Sequence, residues 1–268
     1  MKSSNPAIHV SPVAVNRNRG GPDVKSLRKD RWWLKPAGIA SALVAFVVYG
    51  TWAAIQGTNY HTGPYLSPFY SPCLSADCTY AALPIVGNWW KLSPALLVVP
   101  FPLGFRMSCY YFRRAYYRSF WLSPPACGVA EPHSRYSGES RLPLLMQNLH
   151  RYFFYSAVIL GVIDTWDAVM AFDFGGHIGI GLGSLVMAAD AALLWAYILG
   201  CHSCRHLLGG RLNLLSRHRA RLRAWRITSA FNRHHGTFGW LSLFWVAFTD
   251  LYIRLAASGT IVDPRIFH

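Results

Sequence analysis

Five stretches of this sequence are each long and apolar enough to cross a bilayer, and they leave the chain few alternatives. They are residues 36–56, 94–112, 152–172, 178–200 and 236–255. A hydrocarbon core about 30 Å thick needs roughly 20 apolar residues in a helix. Lipid offers the backbone no hydrogen bonds, so a single spanning segment satisfies itself as a helix. The first run carries no charge and the others one or two each. Charged residues make up only 14% of the chain, against about 25% in a soluble domain. The sequence therefore predicts an all-α membrane protein, a five-transmembrane-helix bundle over residues 31–268. Residues 1–30, rich in Ser, Pro, Asn and basic side chains, read as a disordered cytoplasmic tail.

The formal net charge of +15 is first a topology signal. All but three of the 26 Lys and Arg lie before the first run, between Arg106 and Arg151, or between Arg205 and Arg233. With five spans those three segments share one side. The exceptions, Lys91, Arg254 and Arg265, fall opposite. The positive-inside rule puts the N-terminus in the cytoplasm and the C-terminus outside a plasma membrane crossed several times. This placement excludes a nucleic-acid partner. The first run lies too far into the chain, and is too long, for a signal peptide, so it is a retained anchor.

Cys73 and Cys78 fall in the outer loop between the first two runs, on the oxidising side, where a close pair reads as a disulfide. A metal role there would need further ligands, and only His61 is near. The basic segment 211–233 reads as a helix lying on the cytoplasmic surface.

The chemistry concentrates at the cytoplasmic mouth. Gly200-Cys201-His202-Ser203-Cys204-Arg205-His206 packs two thiols and two imidazoles into a few residues. No run has a histidine in its middle. His150, His202, His206, His234 and His235 all fall at cytoplasmic span ends, with Cys109, Cys127, Cys201 and Cys204 in the same layer. His202 and His206 are spaced i, i+4, which on a continuing helix aims both imidazoles at one point. The reading favoured is a Rieske-like [2Fe–2S] centre, with nitrogen from His202 and His206 and sulfur from two of Cys109, Cys127 and Cys201. Haem b, structural zinc and plain packing stand as alternatives. Cys201-x-x-Cys204 is followed by Arg205, which excludes a c-type haem.

Charges inside the runs are the second signal. Arg106, Asp164, Asp167, Asp190 and Asp250 each cost at least ~2.5 kcal/mol at mid-membrane unless they face a partner or a water path. Arg106 and an aspartate read as a structural pair, or Asp164 and Asp190 as a proton path to a quinone. Asp250 can pair with Arg254 at i+4. His150, Arg151, His234 and Arg106 are the candidate quinone contacts. A small proton-coupled carrier is the competing class, but carriers tend to show internal repeats and none is visible.

Four segments carry a resemblance: Ser108-Cys109-Tyr110-Tyr111-Phe112-Arg113-Arg114-Ala115-Tyr116-Tyr117, Ser123-Pro124-Pro125-Ala126-Cys127, Gln147-Asn148-Leu149-His150-Arg151-Tyr152, and Gly200-Cys201-His202-Ser203 with Arg205-His206-Leu207. Together they resemble the single-subunit, five-helix membrane anchor of menaquinone-type succinate dehydrogenases, including mycobacterial-like enzymes. That resemblance implies a complex with a flavoprotein carrying FAD and with an iron–sulfur subunit carrying further clusters, and a membrane quinone as electron acceptor. It implies no activity for the anchor alone. Many such anchors hold two b haems on mid-span histidines, which this chain lacks.

Overall fold

The computed structural model describes residues 28–72, 81–82, 91–92, 98–129, 132 and 145–267. Eight α-helices dominate the described residues: α1 (Leu34–Gln56), α2 (Pro100–Ser108), α3 (Tyr110–Phe120), α4 (Leu145–Met170), α5 (Leu182–Leu199), α6 (His202–Gly209), α7 (Arg219–Arg233) and α8 (His235–Ala257). Two-stranded antiparallel ribbons sit in the connections: β1 (His61–Thr62) with β2 (Tyr65–Leu66), β3 (Ala81–Ala82) with β4 (Lys91–Leu92), and β5 (Ile180–Gly181) with β6 (Arg265–Phe267). Cys73 and Cys78, and nearly all of the predicted tail, lie outside the described residues.

Four helices are long and apolar enough to cross a membrane: α1, α4 from Asn148, α5 and α8. Their lengths of 18 to 23 residues correspond to about 27–35 Å at 1.5 Å per residue. The run at 94–112 departs from expectation. It contains α2 and the start of α3, interrupted at Cys109, and neither piece alone is long enough to span. Ser108 returns its hydroxyl to the Gly104 carbonyl at 2.6 Å, a back-bond that bends helices. The predicted surface helix of the basic segment is present as α7. The short outer turn after α4 bends through Gly175 and Gly176, both at positive φ, a conformation glycine adopts without steric cost.

Helices α2, α4, α5 and α8 form the packed centre, with α1 against α3 and α8. Much of α1 remains exposed, including Val44, Val48 and Ile55.

One ion-pair network ties the C-terminal ends of α1 and α8 together. Asp250 and Arg254 pair across one turn of α8 at 2.8 Å, as the i+4 spacing anticipates. Tyr49 donates to Asp250 at 2.6 Å, and Ser67 donates to its other oxygen. Arg254 donates to the carbonyls of Ala53 at 2.7 Å and Thr58 at 2.8 Å, and Tyr70 donates to Ala53 at 3.0 Å. These contacts satisfy carbonyls that the C-terminus of α1 would otherwise leave without partners. Removing one member strands a buried charge, which costs about 3–5 kcal/mol. Arg254→Met is therefore expected to lower the thermal midpoint of the detergent-solubilised protein sharply, with the double variant Asp250→Leu/Arg254→Met less affected than either single change.

Candidate functional site

Three helix junctions aim side chains at one place near the arginine-rich end of the bundle. Cys109 joins α2 to α3 with φ −63° and ψ 132°. Cys201 joins α5 to α6 with nearly the same angles, φ −65° and ψ 141°. Each is an extended residue between two helices, so its thiol leaves the helical path and turns into the bundle. His235 is the first residue of α8, directly after the α7–α8 turn. The fourth member, His150, comes from the early turns of α4.

All four are buried: Cys201 is 0% exposed, Cys109 1%, His235 4% and His150 8%. His150 Nε2 lies 3.0 Å from Cys201 Sγ, and Cys109 Sγ lies 3.6 Å from His235 Nε2. The two thiols are within electrostatic reach of each other, as are the two imidazoles. The result is a quartet of two thiols and two imidazoles, arranged as two facing pairs. Among the described residues no three His, Cys, Asp or Glu side chains converge on a point where one metal ion could sit.

The surroundings fix each donor. Ser108 Oγ sits 2.9 Å from His150 Nδ1. Its own proton goes to Gly104, so Nδ1–H is the donor and Nε2 presents its lone pair to the quartet. Such an outer partner sets the tautomer of a ligating imidazole. His235 Nδ1 is buried without a hydrogen-bond partner, and a Cβ at Gly200 would lie 3.0 Å from it; only glycine leaves that approach open. Cys201 Sγ accepts the Ser203 N–H at 3.3 Å as the N-cap of α6, where the helix dipole favours negative charge. Burial nevertheless pushes the Cys201 thiol up to about 12.

Aromatic rings join the quartet to a cavity. Phe105 stacks on His150 at 4.8 Å and 3°, and Tyr197 stacks on His235 at 4.7 Å and 10°. Phe105 and Tyr197 meet edge to face at 5.2 Å. Both also line a cavity of about 360 Å³ between α1, α2, α4 and α5, with Arg106, Gly161 and Asp164 on its wall. Arg106 lies 4.9 Å from the Tyr197 ring centroid and donates to Gly239 O at 2.9 Å and Ser242 Oγ at 3.0 Å. The expected Arg106–aspartate ion pair does not form among the described residues. The Tyr197 hydroxyl, Asp164 Oδ2 and both Asp190 oxygens are buried without partners.

The structure thus divides the predicted site residues. It brings together Cys109, Cys201 and His150, and puts Arg106, Asp164 and Asp190 beside or near the cavity. His202 and His206 are placed otherwise than a continuing helix would have them. The helix stops before Cys201 and restarts at His202, so the i, i+4 pair shares a face of α6, but that face is exposed. Cys127 is likewise exposed, in the loop after α3, and Arg151 and His234 point to the surface. Cys204 is buried within the apolar core. His235 was legible as one histidine of the cytoplasmic layer. Nothing in the sequence ranked it above its neighbour His234, because the helix restart that buries one and exposes the other leaves no composition signal.

The description "Actinobacterial succinate dehydrogenase subunit SdhC" matches residues 34–259. Among solved structures, a chain of the Mycobacterium smegmatis Sdh1 complex in the apo form is 44% identical, with a TM-score of 0.79, over 92% of this chain and 96% of that one. None of the curated proteins matches.

Removing the Ser108 hydroxyl frees the His150 ring. Ser108→Ala is expected to lower the thermal midpoint of the detergent-solubilised protein, because a buried polar atom left without its partner costs about 1–3 kcal/mol.

Proposed function

Because the chain belongs to the actinobacterial succinate dehydrogenase subunit SdhC family, we propose that it is the membrane anchor that takes electrons from a flavoprotein and an iron–sulfur subunit and delivers them to a membrane quinone. The soluble partners hold FAD and the clusters that oxidise succinate and carry its electrons, and the anchor has no activity alone. In this reading the α2–α3 pair, bent at Cys109, serves as the fifth span. The arginine-rich end faces the cytoplasm, where α6, α7 and the loop after α3 form a basic docking surface, and the C-terminus lies outside the plasma membrane.

The single observation that carries the electron route is the buried quartet of Cys109, Cys201, His150 and His235. Two thiolates and two imidazoles are the donor set of a Rieske-type [2Fe–2S] unit. Such a unit takes two imidazoles on one iron and two thiolates on the other, which here would be His150 with His235 and Cys109 with Cys201, whereas structural zinc needs four donors at one point. Haem b fits less well, since each imidazole is already stacked on an aromatic ring and faces a thiol. Bound there, the cluster supplies one-electron relay at a potential raised by imidazole ligation. The protein's part is to exclude water, to orient His150 through Ser108, and to place Phe105 and Tyr197 against both imidazoles.

Those same rings form the inner end of the cavity, which suits a quinone, menaquinone in the family this chain resembles. Its walls are apolar enough for an isoprenoid tail. Arg106, the Tyr197 hydroxyl and Asp164 supply the few polar groups that orient a head group.

Iron, acid-labile sulfide and EPR on the intact complex test this. The reduced wild-type complex is expected to show a Rieske-type signal in addition to those of the iron–sulfur subunit. His235→Ala and Cys201→Ser lose it, while His202→Ala and His206→Ala keep it. Loss of the signal with the α6 histidines instead would overturn the assignment, and a haem absorption band in place of the signal would replace the cofactor.

A further inference from the structure

The end of the bundle away from the quartet carries an element that neither the donor set nor the cavity uses. The chain leaves α8 at Ala257 and returns as β6, which pairs with β5 immediately before α5. A clasp holds this ribbon down. Asp263 accepts the hydroxyl of Tyr65 at 2.6 Å, the amide of Gly183 at 2.8 Å and the hydroxyl of Tyr252. The Leu182 amide donates to the Pro264 carbonyl at 3.0 Å. Both tyrosines are buried.

What the clasp presents outward is apolar. Ile178, in the turn before β5, is 81% exposed, Ile266 66% and Phe267 63%. Successive strand residues point to opposite faces, yet Arg265, Ile266 and Phe267 are all exposed. Both faces of the ribbon are therefore open. A folded partner docks against one face, whereas a fluid closes round both.

Helix lengths give the ribbon its depth. Gly200, just past the end of α5, lies against His235, the first residue of α8, so the two helices share a level at the quartet end. From that level Gly183 and Tyr252 each stand 17 residues along, about 26 Å at 1.5 Å per residue, and Asp263 joins them. Helix α5 ends one residue further out, whereas α8 runs on to Ala257, about 33 Å from the same level. With 18 residues, α5 falls short of a hydrocarbon core about 30 Å thick, and the ribbon occupies the remaining margin. Strands with open edges lie no deeper, because lipid tails satisfy no backbone group. Leu182 and Leu185, exposed on the first turn of α5, continue the apolar surface inward. Arg265 holds its guanidinium 5.1 Å from the Phe174 ring centroid and has the charge that a lipid phosphate requires, whereas Arg254 is committed to Asp250.

We propose that the β5–β6 ribbon is a lipid-binding wedge. Ile178, Ile266 and Phe267 enter the acyl-chain margin of the leaflet at that end, and Arg265 binds the phosphate of an anionic phospholipid. The wedge completes the crossing that α5 leaves short, and through Asp263 it sets the depth of α5 and α8 together.

The test uses the whole complex in vesicles of equal parts phosphatidylglycerol and phosphatidylcholine. The photoreactive p-benzoylphenylalanine replaces Ile266 in one variant and Phe267 in another, which probes the two faces separately, and the products of irradiation are identified by mass. Both side chains are exposed, so either replacement leaves the packed centre intact. The expected result is one phospholipid joined to the chain from each position. Phosphatidylglycerol should exceed phosphatidylcholine among the adducts by about fivefold, and adding Arg265→Gln should make the shares equal. A cross-link to protein from either position, whether to another subunit, a second copy or another part of this chain, overturns the proposal. So does the absence of any adduct from both. Equal shares with Arg265 in place overturn the phosphate contact.

Discussion

A break in a helix inside a membrane bundle strands backbone carbonyls and amides that lipid cannot satisfy, and this chain makes two such breaks next to each other. Each is covered locally. Asn232 donates to the Gly200 carbonyl at 2.7 Å, and is itself held by Arg205 at 3.0 Å. At the other break the Ser108 hydroxyl bonds Gly104, and the Cys109 amide donates to Arg106 O at 3.1 Å. These side chains make it possible for Cys109 and Cys201 to leave the helical path in the same conformation. A continuous helix at either place would turn its cysteine along the helix surface. The quartet therefore depends on covering the backbone first, and the donors follow.

Aromatic packing then couples the parts. Phe105 and Tyr197 each have one face against an imidazole and another boundary on the cavity, so the distance from donor set to cavity is one ring thickness. Arg106 sits over Tyr197 and holds α8 through Gly239 O, at a point where a Cβ on Gly239 would come within 3.1 Å of Phe112. A guanidinium over an aromatic face gains strength where water is excluded. Arg106 is thus held by rings and carbonyls and needs no carboxylate, which leaves Asp190 free of a fixed partner.

Most of the architecture was legible because its cause is local in sequence. The lengths of the runs gave four spans within a few residues, except that α4 begins earlier than its apolar run, because Gln147, Asn148 and His150 continue the helix beyond the apolar core. The Asp250–Arg254 pair followed from i, i+4 spacing alone. The site was half legible. That Cys109, Cys201 and His150 share a layer follows from counting residues along spans. That His202 and His206 are exposed while Cys201 is buried does not, because it turns on a helix break at Cys201, where the Gly200 before it is a weak signal and the tertiary partner Asn232 lies 32 residues on. Spacing arguments assume helix continuity, and this site is built where continuity fails.

The ends of the bundle differ in charge for two separate reasons. Arginines gather at one end, where the positive-inside rule accounts for them. Carboxylates gather towards the other, and among the described residues there only Asp250 is matched by a cation, Arg254, which also caps α1. Among the described residues Asp164 and Asp190 pair with no cation, and neither oxygen of Asp190 has a hydrogen-bond partner, although a charge within the membrane usually faces a partner or a water path. Their lack of one, beside a cavity that shares its wall with the quartet, is what separates the two kinds of aspartate in this fold.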